Sequence, residues 1–126
     1  MMEFGECPCT GKTLVRLVRP AVLAILAEGP VHGYVIVQRL GQMPMFRGPS
    51  PDTTGVYRTL KAMEEEGLLV STWDTAQSGP ARRIFEITAD GKACLKQWQR
   101  TLKQYQKDVE ALLKVVTKSV EGGRHK

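Results

Sequence analysis

Apolar positions along the chain fall into short blocks of helical period, broken by glycine and proline. From Pro20 to Glu28 nearly every residue is apolar, which predicts a buried helix. Pro20 suits its first turn, where a missing N–H costs nothing, and Gly29-Pro30 ends it. Before it, Lys12, Arg16 and Arg19 share one helical face and Leu14, Leu17 and Val18 another, a short amphipathic arm. A second helix is expected from about His32 to Gln42, with Tyr34, Val37 and Leu40 inward and Val35 and Ile36 broadening the stripe. His32 is not a preferred N-cap. Met43 to Pro51 holds three prolines and a glycine and reads as a loop.

The stretch from Asp52 to Leu69 predicts a third helix with two unlike faces. Val56, Leu60 and Met63 recur at i, i+4 and i+7. The opposite face shows Thr54, Arg58, Lys61 and Glu65, with the cations early and Glu64-Glu65-Glu66 late. That order opposes the helix dipole, which favours acids at the N-terminus and cations at the C-terminus. A negative partner facing the first two turns would account for it. Either Ser50 caps this helix with Pro51 at its first position, or Asp52 caps it, and Gly67 supplies a left-handed stop. Leu69–Asp74 and the stretch from Arg82 to Ile87 then read as two strands of a β-hairpin around a Gly-Pro turn.

Thr88 is expected to cap a last helix. Along it Leu95, Trp98, Leu102, Tyr105, Val109, Leu112 and Val116 follow at alternating steps of 3 and 4. This is a heptad seam, a surface for a partner helix. From Ala89 to Lys118 the helix would be about 45 Å long at about 1.5 Å per residue. The rest of the chain is too small to cover that length, so a second copy is the simplest partner. The lysines at 92, 96, 103, 107, 114 and 118 read as a solvated face or an attraction for an acidic ligand. The final EGGRHK reads as a frayed tail.

Composition changes this picture little. The 126 residues carry a net charge of +5, but the excess lies late. Up to Gly91 there are nine Lys/Arg against ten Asp/Glu, and from Lys92 nine against three. Net charge therefore does not argue for nucleic acid; only the placement of cations does. The longest apolar run, Ala21 to Ala27, is too short to span a bilayer, and MMEFGECPCTGKT lacks the apolar core of a secretory signal. A cytoplasmic protein without a membrane partner is expected. Cys7 and Cys9 form Cys-Pro-Cys, which is poor disulfide geometry and two ligands short of a closed zinc site. They are either an inert or merely reactive pair, or a metal or redox sensor. Cys94 reads as core. No nucleophile–base pair, phosphate-binding glycine loop or paired-carboxylate site is evident, so an enzyme is not expected and no cofactor is implied.

Three helices, a hairpin and a long helix, in that order, predict a mainly α (α+β) fold: a winged helix-turn-helix with a long C-terminal dimerisation helix. The expected layout is an arm at 1–19, the winged helix at 20–88, the dimerisation helix at 89–120 and a tail at 121–126. In this architecture the third helix enters the major groove and the hairpin, the wing, follows the DNA backbone. Thr54, Arg58 and Lys61 would then face DNA.

Four stretches resemble the PadR family of transcriptional regulators. LAILAEGPVHGYVI (Leu23 to Ile36) is similar to its passage from first to second helix, and GVYRTLKAMEEEGLL (Gly55 to Leu69) to its recognition helix. SGPARRIFEIT (Ser78 to Thr88) resembles its wing and ITADGKACLKQW (Ile87 to Trp98) the start of its dimer helix. The resemblance implies the smaller branch, a homodimeric repressor that leaves double-stranded operator DNA on binding a small, often aromatic, inducer. It also implies DNA contacts from Tyr57 and from Arg82 and Arg83. The family usually has Ser or Thr where this chain has Gly55, which shifts that contact to Thr53 or Thr54. Trp98 reads either as a seam residue or as the ring on which a flat ligand stacks between subunits. Two rival classes stay open: a winged-helix protein–protein module without DNA binding, and a regulator sensing metal or redox state through Cys7 and Cys9.

Overall fold

The computed structural model describes residues 17–46, 52–75 and 82–122. Cys7, Cys9, Lys12, Leu14, Arg16, Ser50 and Pro51 lie outside them. Helix α1 spans Val18–Ala27, strand β1 Val31–His32, helix α2 Gly33–Gln42, and a single 3-10 turn Pro44–Phe46. Helix α3 (Thr53–Glu65), strands β2 (Leu69–Asp74) and β3 (Arg82–Ile87), and helix α4 (Ala89–Gly122) follow. The chain divides into two units, Met1–Leu95 and Lys96–Lys126.

In the first unit the apolar stripes of the helices meet the sheet. Val22, Leu23, Ile25 and Leu26 of α1, Ile36 and Leu40 of α2, and Val56, Leu60 and Met63 of α3 are buried with Phe46, Leu69, Phe85 and Ile87. Helix α1 begins two residues earlier than expected, so Pro20 is its third residue, still within the first turn where no N–H is needed.

Two differences from the sequence reading concern α2. The strand β1 was not expected; it pairs antiparallel with β3, Val31 with Phe85 and His32 with Ile84, and gives a three-stranded sheet in the order β1-β3-β2. Helix α2 is also rotated by about one residue. Gly33, Ile36 and Leu40 face the core, and Tyr34, expected inward, is 42% exposed. The reason is Gly33, whose bare Cα lies under Tyr57 of α3. A Cβ there would come within 2.7 Å of the Tyr57 ring, so the two helices close on the glycine rather than on Tyr34.

Capping fixes the ends of α3 and α4. Asp52, not Ser50, caps α3: its Oδ1 accepts from the Gly55 N–H at 2.9 Å. Gly67 takes φ +83°, the left-handed stop that a side chain resists. The Thr88 hydroxyl accepts from the Gly91 N–H at 3.0 Å and donates to the Gly67 carbonyl at 2.7 Å. One side chain thus starts α4 and ties it to the turn after α3.

In the second unit, Lys96–Lys126, α4 continues to Gly122. Leu102, Tyr105, Val109, Leu112 and Val116 are all exposed. So are Leu113, Val115 and Val120, which widen the apolar surface beyond the seam near the helix end. No helix among the described residues is long and apolar enough to cross a membrane.

Candidate nucleic-acid interface

Helix α3 buries Val56, Leu60 and Met63 and so turns Thr53, Thr54, Tyr57, Arg58 and Lys61 outward, all exposed. Two of the three late acids, Glu64 and Glu66, have tertiary partners, while Glu65 is exposed and has none among the described residues. Arg19 of α1 donates two hydrogen bonds to the Glu66 carboxylate, at 2.8 and 2.9 Å. Glu64 accepts from the Ser71 hydroxyl at 2.8 Å. The hydrogen bond to Arg19 holds the Glu66 carboxyl below its ordinary pKa, and the same bond raises that of Arg19. This exposed pair therefore favours the fold above the ordinary glutamate range and loses that effect as pH falls through the lowered value. Arg58 and Lys61 have no ion-pair partner among the described residues. Glu64 and Glu66 thus serve the fold, and Arg58 and Lys61 are left for solvent or a ligand.

The wing strands bring Arg82 and Arg83 to the same region. A surface concavity of about 660 Å³ is lined by Gly33 and Tyr34 of α2, Tyr57 of α3, Trp73 of β2, and Arg82 and Arg83 of β3. Three of the expected site residues, Tyr57, Arg82 and Arg83, therefore meet in one place. Two aromatic residues that the sequence reading did not assign to the site, Tyr34 and Trp73, line it with them. The apolar period points Tyr34 inward, and a place in a short strand says nothing of what the Trp73 ring meets. Knowing that Trp73 lies opposite Arg83 would have exposed the pairing, but the length of the connection between β2 and β3 leaves that register open.

His32, the unsuitable cap, makes no side-chain cap bond. Its Nε2 lies 3.0 Å from Asp74 Oδ2, and its ring stacks on Tyr34 at 5.4 Å between centroids. Trp98 is half-buried, Leu95 and Cys94 likewise. No group of three or more His, Cys, Asp or Glu side chains among the described residues is placed to hold a metal ion.

Residues 22–97 match the transcriptional regulator PadR-like family. The chain belongs to that family. It is similar to the transcriptional regulator Rv3488 of Mycobacterium tuberculosis, 36% identical over 92 residues, which cover 73% of this chain and 81% of that protein. Its fold is similar to a PadR family transcription regulator from Clostridium difficile, with a TM-score of 0.67 and 23% identity over 77% of this chain and 98% of that one. It is also similar to Bacillus subtilis PadR in complex with operator DNA, with a TM-score of 0.59 and 23% identity over 67% and 46% of the two chains. The PadR-like match spans the winged helix and the first turns of α4. The family is one of transcriptional regulators, not of enzymes.

Proposed function

We propose that the chain is a homodimeric, ligand-responsive repressor that binds double-stranded operator DNA in the cytoplasm. The observation that carries this reading is the meeting of Tyr57, Arg82 and Arg83 around one concavity, beside an α3 face whose Arg58 and Lys61 have no acidic partner among the described residues. Helix α3 enters the major groove, with Thr53, Thr54, Tyr57, Arg58 and Lys61 toward the DNA. Arg82 and Arg83 contact the backbone. The structure bound to operator DNA in the PadR of Bacillus subtilis supports this use of the fold. The working layout is an arm ahead of α1, a DNA-binding domain from Val18 to Thr88 and a dimerisation helix at Ala89–Gly122, so the boundaries expected at 20 and at 120 each move by two residues. Leu95, Trp98, Leu102, Tyr105, Val109, Leu112 and Val116 form the dimer seam.

Operator affinity across a salt series tests the DNA contacts, with the operator first obtained by selecting bound fragments from genomic DNA. Phosphate contacts are sequence-blind and release counterions, so Arg82→Ala is expected to weaken operator and random DNA alike and to lower the salt slope by about one. Arg58 sits where base edges would lie. Arg58→Ala is expected to cost roughly 1–3 kcal/mol on the operator and little on random DNA. Wild-type affinity and slope in both variants would refute the assignment of this face.

The inducer is placed at Trp98, as a flat aromatic molecule stacked between subunits. Such a molecule should quench tryptophan fluorescence and weaken operator binding over the same concentration range. Trp73 supplies a second emission, so the titration is run in Trp73→Phe. Trp98→Ala should abolish induction and leave the dimer intact; full induction in that variant puts the inducer elsewhere.

A further inference from the structure

Arg82 and Arg83 are neighbours in β3, so their side chains set out on alternate sides of the strand, yet both reach the same concavity. Each meets its own aromatic ring. The Arg82 guanidinium lies 5.1 Å from the centroid of Tyr34, which α2 contributes. The Arg83 guanidinium lies 5.0 Å from the ring of Trp73, its direct cross-strand partner on β2. Neither ring is consumed by the core: Tyr34 is 42% exposed and Trp73 60%.

The β2–β3 register sets Trp73 opposite Arg83. Tyr34 is backed by His32, which stacks on it with 29° between the rings, and His32 is hydrogen-bonded to Asp74. His32 and Asp74 stand on β1 and β2, the two strands that flank β3. Asp74, His32, Tyr34 and Arg82 thus form one run of contacts across the sheet.

A stacked guanidinium uses its flat face, and its N–H donors lie in the plane. Neither arginine forms an ion pair among the described residues, so those donors remain available to a ligand. A free arginine side chain loses much rotamer freedom when it grips a phosphate, and holding it beforehand removes part of that loss. We propose that Tyr34 and Trp73 are positioning residues, each seating one wing arginine with its N–H edge presented to a DNA phosphate. This rests on the reading of the wing as a DNA contact.

The test is a pair of double-mutant cycles on a short random-sequence duplex, since phosphate contacts do not read sequence. Tyr34→Leu is expected to weaken binding about two- to fivefold. In the Arg82→Ala background it should have no further effect. Trp73→Leu should behave in the same way with Arg83→Ala, and the crossed combinations, Tyr34 with Arg83 and Trp73 with Arg82, should be additive. Tyr34→Phe keeps a ring and should retain wild-type affinity. Equal losses from Tyr34→Leu with and without Arg82 would mean that it acts through the fold, and would overturn the proposal. The seating is also read without DNA. In NMR spectra of the free protein, ring current should displace the Arg82 Nε–H resonance in wild type and release it only in Tyr34→Leu, and that of Arg83 only in Trp73→Leu. Resonances already at open-chain positions in wild type would overturn the proposal even where Arg82 proves to contact DNA. Full affinity in Arg82→Ala and Arg83→Ala would defeat the DNA reading of the wing itself, and the positioning role with it, whatever the spectra show.

Discussion

Replacing Leu102 and Val109 by glutamate is expected to leave the protein monomeric at micromolar concentration. Both side chains are exposed on the single chain, Leu102 at 37% and Val109 at 46%, and both lie on the heptad seam of α4. Burying a leucine or valine contributes about 1.5–3 kcal/mol. A two-fold interface would lose four such side chains, and because only about two fifths of each is still exposed on the single chain, their loss amounts to roughly 2–5 kcal/mol. Four carboxylates would also have to be desolvated, at several kcal/mol each. Together these exceed the roughly 5.5 kcal/mol that moves a nanomolar dimer to about 10 μM. The helix should survive, because glutamate is a good helix former and neither residue packs in the core of its own chain. Sedimentation therefore should report the loss of the dimer while far-ultraviolet circular dichroism reports little lost helix. Wild type sedimenting as a monomer at the same concentration would sink the seam reading outright.

Gly91→Ala is expected to be among the most destabilising single substitutions in the first unit. A Cβ at Gly91 would run into the Leu68 carbonyl oxygen and lie 2.7 Å from Ile87 Cγ1. That carbonyl is held by the Thr88 N–H at 3.1 Å, so it cannot move aside without losing a backbone hydrogen bond. Overpacking against a fixed group costs about 1–3 kcal/mol, and contact with backbone places this case at the upper end. The opposing gain, alanine over glycine in a helix, is at most about 1 kcal/mol and smaller in the first turn. A net loss of about 2 kcal/mol should appear as a lower urea midpoint at unchanged slope. Gly41→Ala is the control. It lies in α2 with nothing within 4 Å of an added Cβ, and should be neutral or stabilising by up to about 1 kcal/mol. Equal midpoints for the two variants would show that the Leu68 contact does not decide.

Much of this fold was legible because its causes are local. Val56, Leu60 and Met63 define the buried face of α3 by spacing alone, and they are buried. Gly67 and Thr88 mark the stop of one helix and the start of the next, each through groups only a few residues apart. Strand β2 is Leu69–Asp74 as its β-forming residues predict, and Arg82 to Ile87 forms β3. The alternation of 3 and 4 along α4 is likewise a property of the chain itself. Where the sequence allowed two caps for α3, the Gly55 N–H decided for Asp52.

What the sequence could not determine depends on partners distant along the chain. Two residues, Val31 and His32, have too little pattern to announce a strand; β1 exists because β3 offers a free edge. The rotation of α2 was misread because glycine does not register in an apolar stripe, yet Gly33 is buried where Tyr57 closes over it. That rotation sends Tyr34 out to Arg82. The acids of α3 looked misplaced until Arg19 and Ser71 were seen to hold Glu66 and Glu64. Period and capping act over a few residues, so the chain announces its helices α1 to α4, the strands β2 and β3, the ends marked by Gly67 and Thr88 and the candidate basic residues without any distant contact. Which aromatic ring each arginine meets depends on a helix's rotation and a hairpin's register, and those are set by the surfaces packed against them.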